Sequence, residues 1–296
     1  MTPAARSRQP NRAASIHARL LAKAKERGED FNLVLGRYAT ERWLYRLSVS
    51  SARAQFLLKG ALLFDLWFDQ PHRPTRDADF LGFGTDDAAA LARTVADVCA
   101  IEADDGLRYD VATMRVEEIR EEANYGGLRV TLVGFLGKAR CPVQLDVGYG
   151  DAVTPAPQEA ELPTLLDDQP APRLLAYPRE SVVAEKLEAL VSLGIANSRM
   201  KDLFDLRALA REGRTKTPVL AKAIAATFAR RKTALPEDMP LGLSEEFAQD
   251  ASKRRQWVAF LRRNGLGELT LEETLAEIRA FLDEPLRLAR AGARRA

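Results

Sequence analysis

Residues 56–84 read FLLKGALLFDLWFDQPHRPTRDADFLGFG, a stretch in which two apolar segments are followed by a polar loop and a third apolar segment that carries two aspartates. A short apolar run, FLLK, ends at Gly60, and the apolar residues that follow have helical spacing. A polar loop with two prolines then leads into DADFLGF, which has the composition of a β-strand. The stretch therefore predicts a strand, a glycine turn, a short helix, a loop and a second strand.

The second strand carries two aspartates, Asp77 and Asp79, inside an otherwise apolar run. Alternate residues of a strand face the same side, so both carboxylates are expected on one face. Two carboxylates at this spacing can bind one or two divalent cations, and oxygen ligands suit Mg²⁺. The alternative, a solvent-facing pair or salt bridges to Arg73 and Arg76, stays open from these residues alone.

A third acid, Asp146, lies in the later stretch CPVQLDVGYGD. Val143, Leu145 and Val147 alternate with it, so this strand is expected to place Asp146 on the face opposite the core. If the strand neighbours the one at 77–83, the three carboxylates converge. Three clustered acids repel one another and shift one another's pKa values unless a cation lies between them. Asp146 is therefore predicted as a third metal ligand.

Gly60 lies at the junction of the first strand with the helix. Backbone N–H groups at the start of a helix over 61–68 can hold phosphate oxygens. Lys59 either adds a positive charge at this turn or points outward with its stem on the apolar run. Arg76 is a further candidate for a phosphate contact, since it flanks the acids.

The composition is that of a soluble globular protein. The 296 residues are 46% apolar and 29% charged, with a formal net charge of +2, which argues against disorder and does not by itself indicate a nucleic-acid-binding protein. No apolar run approaches the roughly 20 residues of a membrane span, so no membrane association is expected. The two cysteines lack metal-type spacing, and a cytoplasmic location is the expectation.

The order of elements predicts helices, then an α/β core, then a helical bundle. Residues 1–14 are expected to be a disordered tail, 15–178 the core with its N-terminal helices, and 179–296 a helical C-terminal domain. Within the second of these, the proline-rich stretch 154–178 is typical of an extended linker. Helical spacing is found in several further stretches: 15–48, 87–103, 180–195, 198–212, 217–231, 243–263 and 270–291.

The combination of motifs resembles a known family. The glycine turn, the DADF strand and a later acid resemble the signature of the DNA polymerase β-like nucleotidyltransferase superfamily. More closely, FLLKGALLF and RPTRDADFLGFG, followed by SVVAEKLEALV and RMKDLFDL, resemble the AbiEii/AbiGii toxin family, which includes the MenT toxins. The resemblance covers roughly residues 50–210. It implies an α+β fold, with a polymerase β-like nucleotidyltransferase core, a mixed β-sheet, N-terminal helices and a helical C-terminal domain.

The resemblance also implies roles for individual residues. Asp77 and Asp79 match the metal-binding pair of the family, and Gly60 matches its phosphate-contacting glycine. Lys186, in AEKLEAL, matches a lysine that contacts nucleotide phosphates, and Asp202, in MKDLFDL, matches a later aspartate needed for activity. From the residues alone, Lys186 could equally be a surface partner of its neighbouring glutamate, and Asp202 could simply pair with an arginine on its own helix.

One position departs from the family pattern. The residue after the motif glycine is usually Ser or Gly, and here it is Ala61. This change removes a hydroxyl and keeps the backbone donors, so a weaker grip on phosphate is expected. For Asp146, the resemblance is to the wider superfamily more than to the motif of this family.

The activity that the resemblance implies is Mg²⁺-dependent transfer of a nucleoside monophosphate from an NTP to an acceptor hydroxyl. The implied acceptor is the 3′ end of tRNA, and the implied partner is a cognate, AbiEi-like antitoxin encoded alongside. Three alternatives stay open: an acceptor on a protein, a small-molecule acceptor, and an inactive module that binds only nucleotide or antitoxin.

Overall fold

The computed structural model describes residues 4–68, 72–120 and 126–294. Ten helices and seven strands are assigned in these ranges. The helices are α1 Ala4–Arg27, α2 Phe31–Ser48, α3 Leu62–Trp67, α4 Ala88–Ala100, α5 Arg179–Leu193, α6 Met200–Glu212, α7 Thr217–Arg231, α8 Glu245–Gln249, α9 Ala251–Arg263 and α10 Leu271–Ala293. The strands are β1 Phe56–Lys59, β2 Asp77–Gly82, β3 Leu107–Arg120, β4 Gly126–Leu136, β5 Ala139–Tyr149, β6 Gln158–Glu161 and β7 Arg173–Ala176.

The chain divides into two compact units. The first, unit 1, contains residues 1–150 and 159–176, and the second, unit 2, contains residues 151–158 and 177–296. Residues 151–158 thus belong with the helical unit.

Unit 1 is built on a mixed seven-stranded sheet with strand order β3-β4-β5-β2-β1-β7-β6. β2 is antiparallel to β1 and parallel to β5, and β3, β4 and β5 form an antiparallel meander. One face of the central strands carries buried apolar side chains, including Val130, Leu145 and Phe80. Trp43 of α2 packs edge-on against Phe80, with ring centroids 6.0 Å apart. The α+β class predicted from the sequence is confirmed.

A buried ion pair fixes α2 to the start of the β3–β4–β5 meander. Arg46 donates to both carboxylate oxygens of Asp105, and both side chains are almost completely buried. The backbone N–H of Leu107, the first residue of β3, also donates to Asp105. The orientation of α2 over the sheet therefore depends on a paired internal charge as well as on apolar packing.

The stretch 154–178, predicted as an extended linker, instead supplies two strands of the sheet. β7 pairs with β1 in parallel at Leu58 and Ala176. Side chains distant in sequence hold the segment between these strands: the backbone N–H of Leu165 donates to Glu41, and Arg42 donates to the carbonyl oxygen of Pro170. The prolines mark short strands and turns here, because long-range contacts supply the order that the local sequence lacks.

The N-terminal residues also differ from the expectation. The helix α1 begins at Ala4, where the sequence predicts a disordered tail to residue 14. From Arg12 onward its contacts are defined: Arg12 donates to the carbonyl oxygen of Asp104 and to Asp168, and Ala13 is buried. These are tertiary contacts, so a basic sequence with two prolines gives no local sign of them.

Unit 2 consists of the helices from α5 onward, in which α5 packs on α7 and α10 packs on α6 and α7. The predicted helix 243–263 is two helices, because Asp250 ends α8 and its side chain caps α9 by accepting from the N–H of Lys253. Ser181, in the first turn of α5, is buried and exchanges hydrogen bonds with the backbone of Thr154. No helix in the described ranges combines the length and apolarity needed to cross a bilayer.

Candidate active site

Strand pairing brings the predicted acids together on one face of unit 1. Lys59 is the register partner of Asp79, Asp79 is the partner of Asp146 on β5, and Asp146 is the partner of Arg129 on β4. Directly paired residues of neighbouring strands project to the same face. The four side chains therefore form one row across four strands, with Asp77 two residues along β2 on the same face.

Oxygens of Asp77, Asp79 and Asp146 converge. One carboxylate oxygen from each lies within 4.8 Å of the others, and all three residues are partly buried. The hydroxyl of Thr75 donates to Asp77 Oδ1 at 2.6 Å and so fixes one of the carboxylates. A set of three oxygen donors at this separation matches what a hard divalent cation such as Mg²⁺ binds. We call these residues the aspartate triad.

Gly60 has a steric reason to be glycine. Its φ of +76° lies in the left-handed region, and a Cβ built on it would lie 1.9 Å from Asp79 Oδ2. The turn after β1 thus lies directly against Asp79, with no space for a side chain at residue 60. Ala61 follows at the N-cap of α3, where no side chain caps the helix.

The helix predicted to bind phosphate at its N-terminus is shorter than the sequence suggests. This helix, α3, has six residues, and the N–H groups of Leu63 and Phe64 already donate to the carbonyl oxygens of Gly60 and Ala61. Donors for a ligand are therefore restricted to the amides of the turn itself. Lys59 extends across the site, with Nζ 3.8 Å from the position of a Cβ on Gly148. Gly148 follows Asp146 by two residues on the same face of β5.

Arg129 is the site residue that the sequence reasoning missed. Its Nε donates to Asp146 Oδ1 at 2.8 Å and its Nη2 donates to Oδ2 at 2.6 Å. These hydrogen bonds, together with the charges of Asp77 and Asp79, outweigh desolvation and raise the pKa of Arg129 above its usual value. Gln144 adds a weaker contact, with Nε2 3.3 Å from each oxygen of Asp146.

Arg76, one of the two arginines that the sequence offers as partners of the acids, lies beside Asp77 in the wall of a cavity. Arg76 is exposed and lines a cavity of about 1350 Å³ together with Asp77 and Gln144. The cavity lies within unit 1, between α2, α3 and the part of β5 that extends beyond β2. Its guanidinium groups come from several elements: Arg27, Arg37, Arg76, Arg115 and Arg140. The triad therefore borders a space large enough for a nucleotide-sized ligand.

Lys186 and Asp202 lie together in unit 2, where they form a buried ion cluster with Asp205. Lys186 Nζ is 2.6 Å from Asp202 Oδ1 and 2.8 Å from Asp205 Oδ2. Arg199 adds a contact to Asp202 at 2.7 Å, which is the same-helix pairing anticipated from the sequence. An ammonium has three N–H donors, and these two carboxylates account for two of those on Lys186.

The pKa values in this cluster follow from the pairing. Burial opposes both charged forms, but the two carboxylates raise the pKa of Lys186 above its usual value. Against the same burial, Lys186 and Arg199 hold the pKa of Asp202 below its usual value. Lys186 and Asp202 are thus both charged at neutral pH. The cluster has a clear structural role in unit 2, whatever role it has in activity.

Comparison with known protein families shows that this chain is a nucleotidyltransferase. A model of the nucleotidyl transferase AbiEii toxins of type IV toxin–antitoxin systems matches residues 42–284. The chain belongs to this AbiEii family. The resemblance identified from the glycine turn, the DADF strand and the two helical motifs is therefore confirmed.

Two solved structures are similar to this chain along most of its length. JHP933 from Helicobacter pylori is 15% identical, with a TM-score of 0.50, over 88% of this chain and 95% of its own. A candidate nucleotidyltransferase from the same organism is 17% identical, with a TM-score of 0.47, over 84% of this chain and 92% of its own. No protein among those with curated descriptions matches this chain.

Proposed function

We propose that this protein is a Mg²⁺-dependent toxin that transfers a nucleoside monophosphate from an NTP to the 3′-terminal hydroxyl of a tRNA. Membership of the AbiEii family supports the transfer reaction and the existence of an antitoxin. The tRNA acceptor, the AbiEi-like nature of the antitoxin and a cytoplasmic location come from the family resemblance. The single observation that carries the metal dependence is the convergence of three carboxylates within 4.8 Å.

The donor set of the triad fits a divalent cation. Three carboxylates on one face of a sheet would repel one another strongly, and Arg129 and Lys59 lie at the two ends of their row. A glycine at position 60 leaves room that a side chain would fill at Asp79. When bound, a divalent cation neutralises charge on the triphosphate and lowers the pKa of an attacking hydroxyl.

In the proposed reaction, the acceptor oxygen forms a bond to the α-phosphorus of the NTP. The bond from that phosphorus to the bridging oxygen of the β-phosphate breaks, and pyrophosphate leaves. Asp77 and Asp79 orient the nucleotide, and Asp146 is the triad member that takes the hydroxyl proton. Arg76 and Lys59 are placed to contact the triphosphate, because one lines the cavity beside Asp77 and the other is the register partner of Asp79.

Lys186 and Asp202 enter this proposal through the resemblance. By that resemblance, Lys186 would contact nucleotide phosphates and Asp202 would be needed for activity; within unit 2 the two side chains are 2.6 Å apart. Asp202 is also the second candidate, after Asp146, for activating the acceptor hydroxyl.

The test is incubation of purified protein with α-³²P-labelled NTPs, Mg²⁺ and total RNA. We expect label on RNA of tRNA size with the wild type, and none with Asp79→Asn or with EDTA. The matched control is Asp86→Asn, an exposed aspartate outside the triad, which should label RNA like the wild type. Label on protein or on a small molecule would show that the acceptor is not tRNA. Equal growth inhibition by wild type and Asp79→Ala would overturn the enzymatic account.

A further inference from the structure

Arg129 touches the triad, yet neither the family motifs nor the sequence pattern assigns it a role. It is held in a defined geometry, because both its Nε and its Nη2 donate to Asp146, one to each carboxylate oxygen. This two-point contact fixes the plane of the carboxylate as well as its distance. Asp146 is the more enclosed partner, with its side chain 13% exposed against 40% for Arg129.

The contact leaves Asp146 able to bind a cation. A carboxylate offers about four lone-pair sites, and a bidentate arginine uses two of them. One oxygen of Asp146 remains within 4.8 Å of oxygens of Asp77 and Asp79 while the contact with Arg129 is made. The contact with Arg129 therefore leaves an oxygen of Asp146 in the converging set with Asp77 and Asp79.

The other two triad members are held differently. Asp77 accepts from Thr75, and Asp79 lies against the turn at Gly60. Asp146 accepts from Arg129 and, at the longer distance of 3.3 Å, from Gln144. Of these two neighbours, Arg129 makes the shorter contacts and so has the greater part in orienting the carboxylate.

We propose that Arg129 is a positioning residue for the metal site, which aims the Asp146 carboxylate at the cation shared with Asp77 and Asp79. This inference rests on the proposed function, because it assumes that the triad binds a divalent cation. Groups that hydrogen-bond a metal-ligating carboxylate commonly contribute about 10- to 100-fold to metal affinity.

Two substitutions separate positioning from simple electrostatics. Arg129→Lys keeps the positive charge and loses the two-point contact, so it should weaken Mn²⁺ binding by about 10-fold. Arg129→Gln removes the charge as well. A positive charge near a cation site opposes cation binding, so electrostatics alone predicts tighter Mn²⁺ binding by this variant. Positioning predicts weaker binding by both variants.

The experiment is a titration of the full chain with Mn²⁺, followed by electron paramagnetic resonance of the free ion, with thermal unfolding of each ion-free variant to establish that it folds. The matched control is Arg173→Lys, which alters another arginine–carboxylate pair of the same sheet, with Glu161, both largely exposed. It should bind Mn²⁺ like the wild type. Arg129 is exposed enough that both of its variants are expected to fold.

The outcomes distinguish this inference from the proposed function. If Asp79→Asn abolishes Mn²⁺ binding while Arg129→Lys binds like the wild type, or Arg129→Gln binds more tightly, the positioning role is refuted and the metal site stands. If the wild type does not bind Mn²⁺, or Asp79→Asn binds equally well, the metal-dependent function itself is overturned.

Discussion

Replacing Gly60 by alanine tests the geometry of the site most sharply within unit 1. The new Cβ would lie 1.9 Å from Oδ2, 2.6 Å from Cγ and 2.7 Å from Cβ of Asp79. No such contact is tolerated. Rotation of the Asp79 side chain away from the other two carboxylates can relieve the contacts with Oδ2 and Cγ, but the contact with Cβ is relieved only if the backbone of the turn or of β2 also shifts. The backbone at residue 60 also has a φ of +76°, which L-residues other than glycine adopt at a cost.

The magnitude can be worked out by comparison with a second glycine. Gly28 has a φ of +64°, and a Cβ added to it would have nothing within 4 Å, so Gly28→Ala carries only the backbone cost of about 1–2 kcal/mol. Gly60→Ala carries that cost plus about 0.5–1.5 kcal/mol for forcing Asp79 off its rotamer. The free energy of unfolding should therefore fall by about 1.5–3.5 kcal/mol or more for Gly60→Ala, and by less for Gly28→Ala.

The functional difference should be larger than the difference in stability. Displacing one carboxylate of the triad should weaken Mn²⁺ binding by about 10-fold or more, whereas Gly28→Ala should leave it unchanged. The assays are urea unfolding followed by circular dichroism and the Mn²⁺ titration. If both variants bind Mn²⁺ like the wild type, the close approach of Gly60 to a metal ligand is not real. A Gly60→Ala/Asp79→Ala double variant should recover part of the stability lost in Gly60→Ala, because it removes the contacts with Oδ2 and Cγ and keeps the contact with Cβ.

Two further predictions concern buried charges. Lys186→Met leaves Asp202 and Asp205 buried without their ammonium partner, so the free energy of unfolding should fall by about 3–5 kcal/mol. Lys201 lies next to Asp202 in the sequence and is exposed, so the control Lys201→Met should change the free energy of unfolding little. Equal losses of stability for the two variants in urea unfolding would contradict the ion cluster. Burial raises the pKa of Glu41 to about 7 from 4.5. A raised carboxyl pKa favours the protonated folded state, so stability is highest below pH 4.5 for this group and falls by about 3 kcal/mol as the pH rises through 7. Glu41→Gln should remove that part of the pH dependence, and an unchanged pH profile of unfolding would refute it.

The parts of the fold with strong local periodicity were accessible from the sequence. Alternation in CPVQLDVGYGD placed Asp146 on the face opposite the core, and Asp77 and Asp79 were placed on one face in the same way. The sequence does not show that these two strands are neighbours, because β2 and β5 are parallel and more than 60 residues separate Asp79 from Asp146. The sequence therefore predicts convergence of the three carboxylates only on the condition that the two strands pair.

Arg129 was missed although the sequence held a usable signal. β4 and β5 are joined by a two-residue turn, so the pairing of Leu136 with Ala139 fixes the register of the whole hairpin. Counting back from that turn brings Arg129 opposite Asp146. The turn is evident in the sequence, but the pairing of Arg129 with Asp146 follows only when the hairpin register is extended from the turn along both strands.

The short strands β6 and β7 and the start of α1 had no comparable signal. Four-residue strands among prolines are ordered by contacts from Glu41 and Arg42, far away in the sequence. The boundary between the two helices α8 and α9 was lost for another reason: Asp250 acts as a cap inside a continuous helical pattern. Local patterns predict elements well only where local forces decide them.

The most direct test of the account is the position of a bound cation in crystals of the wild-type protein grown with Mn²⁺. Anomalous scattering locates manganese independently of the protein coordinates. We expect a manganese peak within coordination distance of Asp77, Asp79 and Asp146, and its loss in Asp79→Asn crystals. Manganese bound elsewhere, with the three carboxylates occupied only by Arg129 and other side chains, would contradict it.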